Sequence, residues 1–151
     1  MTYEEAVNYI LGIPRFTKKN DREHTRAFLS CLGDPQEHMK VLHVAGTNGK
    51  GSVCAYLTSA LKEAGYRVGT FVSPHLVEIR ERFLLNGKMV GTESFQKAFE
   101  KVKEAADQAM EDGLRHPTFF QVLFYMAACL LAEGKVDFWV MESVLNTHPE
   151  P

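Results

Sequence analysis

The sequence predicts one α/β domain, a three-layer sandwich built on a mainly parallel sheet. Three observations predict this class. A short β-branched segment at 41–45, suited to a buried parallel strand, runs directly into a glycine-rich turn at 46–52. After a helical pattern, a second apolar segment at 67–72 completes a strand–helix–strand unit, and strands joined by such a crossover lie parallel. A third apolar run at 136–141 ends in Glu142 and resembles another buried strand.

The composition fits this single domain and narrows the classes of partner. The chain has 151 residues, of which 45% are hydrophobic, and its 17 basic and 19 acidic residues give a net charge of −2. Folding should bury roughly 68–70% of the surface of such a chain, and a second full-sized domain would not fit. The near-neutral charge argues against nucleic acid as a partner. The longest apolar run, 122–132, is shorter than the roughly 20 residues that cross a bilayer, so we expect a cytoplasmic protein with no membrane partner.

Two helices are expected before the first strand. Thr2 and Glu5 have the spacing of a capping box, and apolar residues at helical spacing follow them until Gly12. Asn20 is the expected cap of the second helix, which should end at Gly33.

A helix and a hairpin are expected in the middle of the chain. Apolar residues recur at helical spacing over 51–64, directly after the glycine-rich turn. Asn86 and Gly87 favour the positive φ angles of a type I′ turn, so we predict hairpin strands at 79–85 and 88–90.

Two further helices follow the hairpin. Thr92 is the expected cap of a helix at 93–112, and Thr118 with Gln121 forms a second capping box. The residues at 122–132 are apolar on nearly every face of a helix, so we expect that helix to be buried.

The turn after the first strand has the composition of a phosphate-binding loop. Its residues are Gly46, Thr47, Asn48, Gly49, Lys50, Gly51 and Ser52. Glycines let backbone N–H groups face phosphate oxygens, the helix adds its positive N-terminal end, the lysine reaches the outer phosphates and the serine can ligate Mg²⁺. Val44 stands at the first glycine position of the strict pattern, and Gly51 separates the lysine from the serine. The loop is therefore a variant, and its alternative interpretation is an ordinary glycine-rich turn.

Three residues outside this loop are weighed on their own chemistry. Glu142 ends an apolar strand beside the loop, which is where a carboxylate holds nucleotide-bound Mg²⁺; the alternative is a solvated strand end. Ser73 precedes a proline, and this pair commonly forms turns without any function. His75 lies in the same loop, where a partly exposed polar histidine is the simpler interpretation.

The loop is also where the chain resembles a known family, the Mur ligase superfamily and, within it, the folylpolyglutamate synthases, which are often bifunctional with dihydrofolate synthase. The resemblance covers nearly all of residues 3–142. Four stretches carry it: Gly46 to Ser52 within His43 to Val53, Leu32-Gly33-Asp34-Pro35, Ser73-Pro74-His75-Leu76, and Glu81-Arg82-Phe83 leading to Asn86-Gly87. A small P-loop kinase fits the chain length, but it does not explain Gly51 or the loop at 73–76.

The resemblance implies a reaction and a set of site residues. In that family ATP phosphorylates a folate carboxylate, and the amine of L-glutamate attacks the acyl phosphate to form an amide. The resemblance implies that residues 46–52 bind the ATP phosphates, with Lys50 as the catalytic residue. It implies Mg²⁺ ligation by Ser52, Ser73 and Glu142. Contacts with the pterin substrate are implied for the loop and strand residues Pro74, His75, Leu76 and Arg82.

The chain also departs from the family pattern. It has Gln121 and Phe124 where the family usually has glutamate and threonine, and after Glu142 the family's glycine-rich continuation is replaced by residues 143–151. We therefore expect residues 1–142 to be a partial ATP- and folate-binding domain, with 143–151 a divergent tail and the C-terminal ligase domain absent.

Two hypotheses for function remain open at this stage. In the first, the chain is the N-terminal portion of a folate-elongating ligase and is inactive alone. In the second, it is a non-catalytic nucleotide-binding fragment or interaction module. An incomplete sheet would in either case favour self-association.

Overall fold

Five strands form one sheet in the computed structural model, which describes residues 1–14, 20–44 and 49–142. Their order across the sheet is β1 (Lys40–Val44), β5 (Phe138–Glu142), β2 (Val68–Phe71), β3 (Phe83–Leu85) and β4 (Lys88–Met89). β5 pairs in parallel with β1 on one side and with β2 on the other, whereas β3 and β4 add antiparallel pairings. The three predicted parallel strands are confirmed, and β5 lies between the other two.

Helices cover both faces of this sheet, so the predicted three layers are present. They are α1 (Tyr3–Leu11), α2 (Arg22–Cys31), α3 (Lys50–Glu63), α4 (Thr92–Glu111) and α5 (Phe119–Glu133). α3 packs on one face, in a small core with Val44, Val68 and Val140. The other four helices share the larger core on the opposite face, which includes Trp139. The alternation of Trp139 and Val140 between the two cores is the period of two that a strand imposes.

α5 is the centre of the larger core, as its apolar sequence predicts. Its capping box is present, because the Thr118 hydroxyl accepts from the Gln121 N–H and the Gln121 side chain accepts from the Thr118 N–H. Complete burial of Leu123 and Met126 contributes about 1.5–3 kcal/mol each. In the described part of the chain, no helix has both the length and the hydrophobicity of a membrane-crossing segment.

Two predicted helix caps are wrong. Asp21, not Asn20, caps α2, because its carboxylate accepts from the His24 N–H at 2.8 Å. The Asn20 amide instead donates to Oε1 of Gln121 at 2.7 Å. α4 begins after Gly91, and its predicted cap Thr92 is already the first helical residue. In both cases the prediction misses the true cap by one residue.

The predicted hairpin is shorter than expected. Asn86 and Gly87 have φ angles of 50° and 81°, which confirms the turn. Residues Ile79–Arg82, however, form a 3₁₀ turn, so the expected strand at 79–85 is reduced to Phe83–Leu85. The Glu81 carboxylate accepts from the Glu78 N–H at 2.7 Å, and this local hydrogen bond competes with strand pairing.

β1 also differs from its prediction as a buried strand. Within the described residues it pairs only with β5, and Lys40, Val41 and His43 are exposed. Its parallel pairing is confirmed, but it lies at the edge of the described sheet.

Candidate active site

The candidate site lies where the three parallel strands end. β1 ends at Val44, whose register partner on β5 is Glu142, and β2 ends at Phe71, whose partner is Met141. Because the carboxyl ends of parallel strands meet at the same end of a sheet, residues 72–76 lie at the end of the sheet where Glu142 ends β5. Of the predicted phosphate-binding residues, Gly46, Thr47, Asn48 and the Lys50 side chain lie outside the described residues.

The beginning of α3 has the geometry of an anion site. Gly49 precedes the helix with a φ of 74°, a left-handed conformation that glycine adopts without strain. The first helical hydrogen bond runs from the Val53 N–H to the Gly49 carbonyl at 3.0 Å, so earlier N–H groups have no partner within the helix. No acidic residue lies in this first turn, and Gly51 and Ser52 are exposed. The positive end of a 14-residue helix therefore faces outward with backbone donors available.

Glu142 lies beside this anion site. A Cβ atom built on Gly51 would be 3.8 Å from Oε2 of Glu142, so the carboxylate and the first turn of α3 are in van der Waals range. A carboxylate so close to a bound phosphate would repel it unless a cation lay between them. A cation between Glu142 and a bound phosphate would therefore favour phosphate binding here.

Oxygen donors fit such a cation. The Glu142 carboxylate and the hydroxyl of Ser52 come from adjacent elements, and Ser73 follows β2 at the same edge. Within residues 1–14, 20–44 and 49–142, no group of three histidine, cysteine or acidic side chains forms a metal cluster. A single carboxylate with hydroxyls and phosphate oxygens is the donor set that Mg²⁺ takes in nucleotide sites.

The loop after β2 is held by one carboxylate. The Glu81 side chain accepts hydrogen bonds from the backbone N–H groups of Leu76 at 2.9 Å, Val77 at 3.0 Å and Glu78 at 2.7 Å. These donors, the Leu76 N–H first, lower the pKa of Glu81 below its ordinary value. The loop therefore keeps a defined shape although Leu76 and Val77 are each 90% exposed.

His75, which lies in this loop, is hydrogen-bonded to the buried Arg82. The Arg82 Nε–H donates to His75 Nδ1 at 2.8 Å, and the guanidinium of Arg82 stands 5.7 Å from the centre of the Phe119 ring. Arg82 is 3% exposed. Because Nδ1 accepts this bond, the neutral imidazole carries its proton on Nε2. Arg82 thus fixes both the orientation and the tautomer of His75.

α1 is fastened to the same loop through a charged pair. The Tyr3 hydroxyl donates to Glu78 Oε1 at 2.8 Å, and Arg80 Nε donates to the same oxygen at 2.6 Å. The Arg80 bond, and after it the Tyr3 bond, lower the pKa of Glu78. Between α1 and the loop lies a cavity of about 330 Å³, and His75 is part of its lining.

The structure brings Gly49, Gly51, Ser52 and Glu142 to one sheet edge, where Ser73 also begins its loop. Pro74 and Leu76 are exposed in that loop, and the Ser73–Pro74 peptide bond is cis. Glu78 and Glu81 were not among the predicted site residues. Their signal was present, because an acidic pair three residues apart has the spacing of a capping box, and the structure shows this box around Ile79–Arg82.

Comparison with known proteins places this arrangement among folate enzymes. The chain is 35% identical over 145 residues to the dihydrofolate synthase/folylpolyglutamate synthase of Bacillus subtilis. It superposes on the crystal structure of Thermotoga maritima folylpolyglutamate synthase with a TM-score of 0.86 and 36% identity over 95% of the chain. A folylpolyglutamate synthase bound to AMPPCP and folate gives a TM-score of 0.88 at 29% identity, again over 95% of the chain. No protein-family model matches the chain.

The shares of the relatives' own lengths are smaller. The chain spans 34% of the Bacillus protein, 33% of the Thermotoga chain and 35% of the chain bound to AMPPCP and folate. The matching part is their N-terminal region. The likeness therefore includes the candidate site and leaves about two thirds of each relative unmatched.

Proposed function

The chain belongs to the folylpolyglutamate synthase/dihydrofolate synthase family, and we propose that residues 1–142 are the N-terminal ATP- and folate-binding domain of such a ligase. The proposed reaction joins L-glutamate to a folate carboxylate with conversion of ATP to ADP. The observation that carries this proposal is the position of Glu142 beside the first turn of α3, which a phosphate-loop sequence opens. The proposed partners are small molecules, in the cytoplasm, without nucleic acid or membrane.

In this proposal ATP binds with its phosphates at Gly46, Thr47, Asn48, Gly49, Lys50, Gly51 and Ser52. The backbone N–H groups at the start of α3 bind phosphate oxygens, and the lack of acidic residues in that turn keeps the site attractive to anions. Lys50 is the proposed catalytic residue, because an ammonium group near the transferred phosphate stabilises the charge that develops there. The relative bound to AMPPCP, an ATP analogue, supports this assignment.

Ser52, Ser73 and Glu142 are the proposed Mg²⁺ ligands, directly or through water. Mg²⁺ supplies charge neutralisation between phosphate oxygens. Glu142 is the anionic member of the set and ends the central strand β5, where its backbone is in register with Val44 of β1 and follows Met141, which is paired with Phe71 of β2. The two hydroxyls complete a set of hard oxygen donors.

The folate substrate is proposed to bind against the loop that Glu81 holds. Exposed Leu76 and Pro74 offer apolar surface for a flat ring, and Arg82 holds the imidazole of His75 in one orientation beside them. The folate carboxylate then accepts the terminal phosphoryl group, and the glutamate amine displaces phosphate from the acyl phosphate. Exclusion of water from this intermediate requires the site to be covered during the reaction.

Nucleotide affinity of Lys50→Ala tests the phosphate site, with Lys62→Ala at the far end of α3 as the matched control. Loss of one charge-assisted bond to phosphate should weaken Mg²⁺-ATP binding about 10- to 100-fold in Lys50→Ala and leave Lys62→Ala unchanged. Glu142→Gln should weaken ATP binding in the presence of Mg²⁺ and have a smaller effect on ATP binding without the metal. Calorimetric titration measures all three variants, and unchanged affinity in Lys50→Ala would contradict the assignment.

The second hypothesis, a non-catalytic nucleotide-binding module, predicts the same ATP binding. It differs in folate binding, because a module has no need of a substrate loop. Binding of a folate to the chain with Mg²⁺-ATP, weakened by Arg82→Met, supports the ligase domain; ATP binding without folate binding favours the module.

A further inference from the structure

A second cavity lies at the amino-terminal ends of the parallel strands, whereas the candidate active site lies at their carboxyl ends. Its volume is about 590 Å³, within the usual range of small-molecule sites. Its walls include the Pro35–His38 turn, which precedes β1, and Gly134, which precedes β5. Since β1 and β5 run from this end of the sheet toward Val44 and Glu142, the cavity and Glu142 lie at opposite ends of the same strands.

The cavity lies between helices, a hairpin and the turns that join them. The end of α2, the β3–β4 hairpin, α4 and the end of α5 all contribute to it. The turn between α2 and the Pro35–His38 segment is fixed by backbone bonds, among them the one from the Asp34 N–H to the Leu29 carbonyl at 2.9 Å. A ligand would therefore enter a preformed site, which lowers the entropic cost of binding.

The floor of the cavity is apolar. Buried side chains there keep a small accessible area: Leu32 6%, Val90 8%, Ala98 7%, Cys129 7% and Leu130 8%. Phe99, Val102 and Leu131, on the same two helices but outside the lining, keep 1% each. The floor is thus the part of the larger core that a ligand can reach.

The rim carries a modest positive charge. Lys97 and Lys101 are one turn apart on α4, His38 ends the Pro35–His38 turn, and Glu133 is the acidic residue of the lining. Lys97 is paired with Glu93 at 3.2 Å. Among the described residues no carboxylate lies within ion-pair distance of Lys101, so its charge is available at the rim. One available cation beside an acidic group suits a single negative charge better than a polyphosphate.

We propose that this cavity binds a small amphipathic carboxylate, with its apolar body on the floor and its carboxylate at Lys101. The burial of apolar surface supplies affinity, and the lysine selects the acid over a neutral molecule of the same shape. The site is independent of the proposed ligase function, because none of its lining residues belongs to the phosphate loop or to the loop at 73–82.

Naphthylacetate and its neutral analogue naphthylethanol are suitable probes, with calorimetry on the full chain as the measurement. The acid should bind about tenfold more tightly than the alcohol. Lys101→Glu should weaken binding of the acid at least about tenfold. Lys62→Glu, on the other face of the sheet, should leave this affinity unchanged. Equal affinity for the two probes, no binding of the acid, or full affinity in Lys101→Glu would overturn the proposal.

Thiol labelling locates the bound probe. Burial raises the pKa of the Cys129 thiol, so labelling is done at alkaline pH. Naphthylacetate should slow the alkylation of Cys129 in the floor and leave the exposed Cys31 unaffected, as measured by mass spectrometry of peptides. If the probe binds without protecting Cys129, it binds elsewhere and the proposed site is wrong.

Discussion

Glu81 determines the shape of the loop at the candidate substrate site through three hydrogen bonds to backbone N–H groups. Glu81→Gln keeps the size of the side chain and removes its charge, so the charge-assisted bonds to Leu76, Val77 and Glu78 weaken. We expect several-fold faster amide hydrogen exchange at these three residues. Glu104→Gln, on the exposed face of α4, is the matched control and should leave the loop unchanged.

The same bonds make the loop sensitive to acid. The folded-state pKa of Glu81 lies below its ordinary value of 4.5. The stabilisation is therefore fully present above pH 4.5 and is lost as the pH falls through the lower, folded-state pKa. Amide protection at 76–78, corrected for the intrinsic exchange rate, should decline in that acidic range in the wild-type chain and show no such step in Glu81→Gln. Equal protection in both chains across this range would contradict the assigned role.

Sequence reasoning at the residue scale succeeded where a residue's partner is near in the chain. Gly49, Gly51 and Ser52 lie at the start of the helix that follows the glycine-rich turn, as their spacing predicts, and the structure adds the approach of Gly51 to Glu142. The support of His75 by Arg82, and of Tyr3 by Glu78, depends on contacts across 7 and 75 positions. The first is compatible with several local conformations, and the second requires the packing of α1, so neither follows from spacing.

Gly69 on β2 is packed tightly against Leu131 on α5. A Cβ atom there would lie 2.6 Å from Cδ1 and 2.8 Å from Cγ of Leu131, whose side chain is 1% exposed. Gly69→Ala should therefore lower the free energy of unfolding by about 1–3 kcal/mol through overpacking. Gly91→Ala is the control, because nothing lies within 4 Å of its Cβ position, and it should change stability by less than about 0.5 kcal/mol. Urea unfolding of both variants measures the difference, and equal stabilities would exclude a tight contact at Gly69.

The elements themselves follow from periodicity, with two instructive exceptions. Helices and parallel strands were predicted because their patterns of apolar residues extend over many positions. The strand at 79–85 was predicted from apolar residues that begin with the β-branched Ile79. The acidic pair Glu78 and Glu81 instead forms a capping box, and residues Ile79–Arg82 form a 3₁₀ turn. β1 has the composition of a buried strand, yet its position in the sheet depends on pairing partners that its own sequence does not specify.

At the scale of the whole molecule, the edge of the sheet at β1 is the expected site of self-association. Within the described residues one side of β1 pairs with β5, and Val41 is 39% exposed. An unpaired strand edge with exposed apolar residues pairs readily with a second chain. We expect light scattering to show a mass that rises with concentration, and Val41→Lys to weaken this association. Tyr56→Lys, at an exposed position on α3, is the control; a wild-type chain that stays monomeric at high concentration would contradict the prediction.

Ligation demands more of the molecule than nucleotide binding does. ATP, a folate carboxylate and the glutamate amine must be held together and away from water, and such positioning can account for about 7–11 kcal/mol of barrier lowering. The chain spans 34% of the length of the Bacillus relative, so about two thirds of that relative is unmatched by residues 1–151. We therefore expect the purified chain to bind Mg²⁺-ATP without glutamate-dependent ADP release. The Bacillus enzyme, assayed in parallel, controls for the conditions, and mass spectrometry detects any elongated folate. Because Lys50→Ala should also weaken nucleotide binding about 10- to 100-fold, an elongated product that forms with the wild-type chain and falls sharply in this variant would show that residues 1–151 are catalytically sufficient.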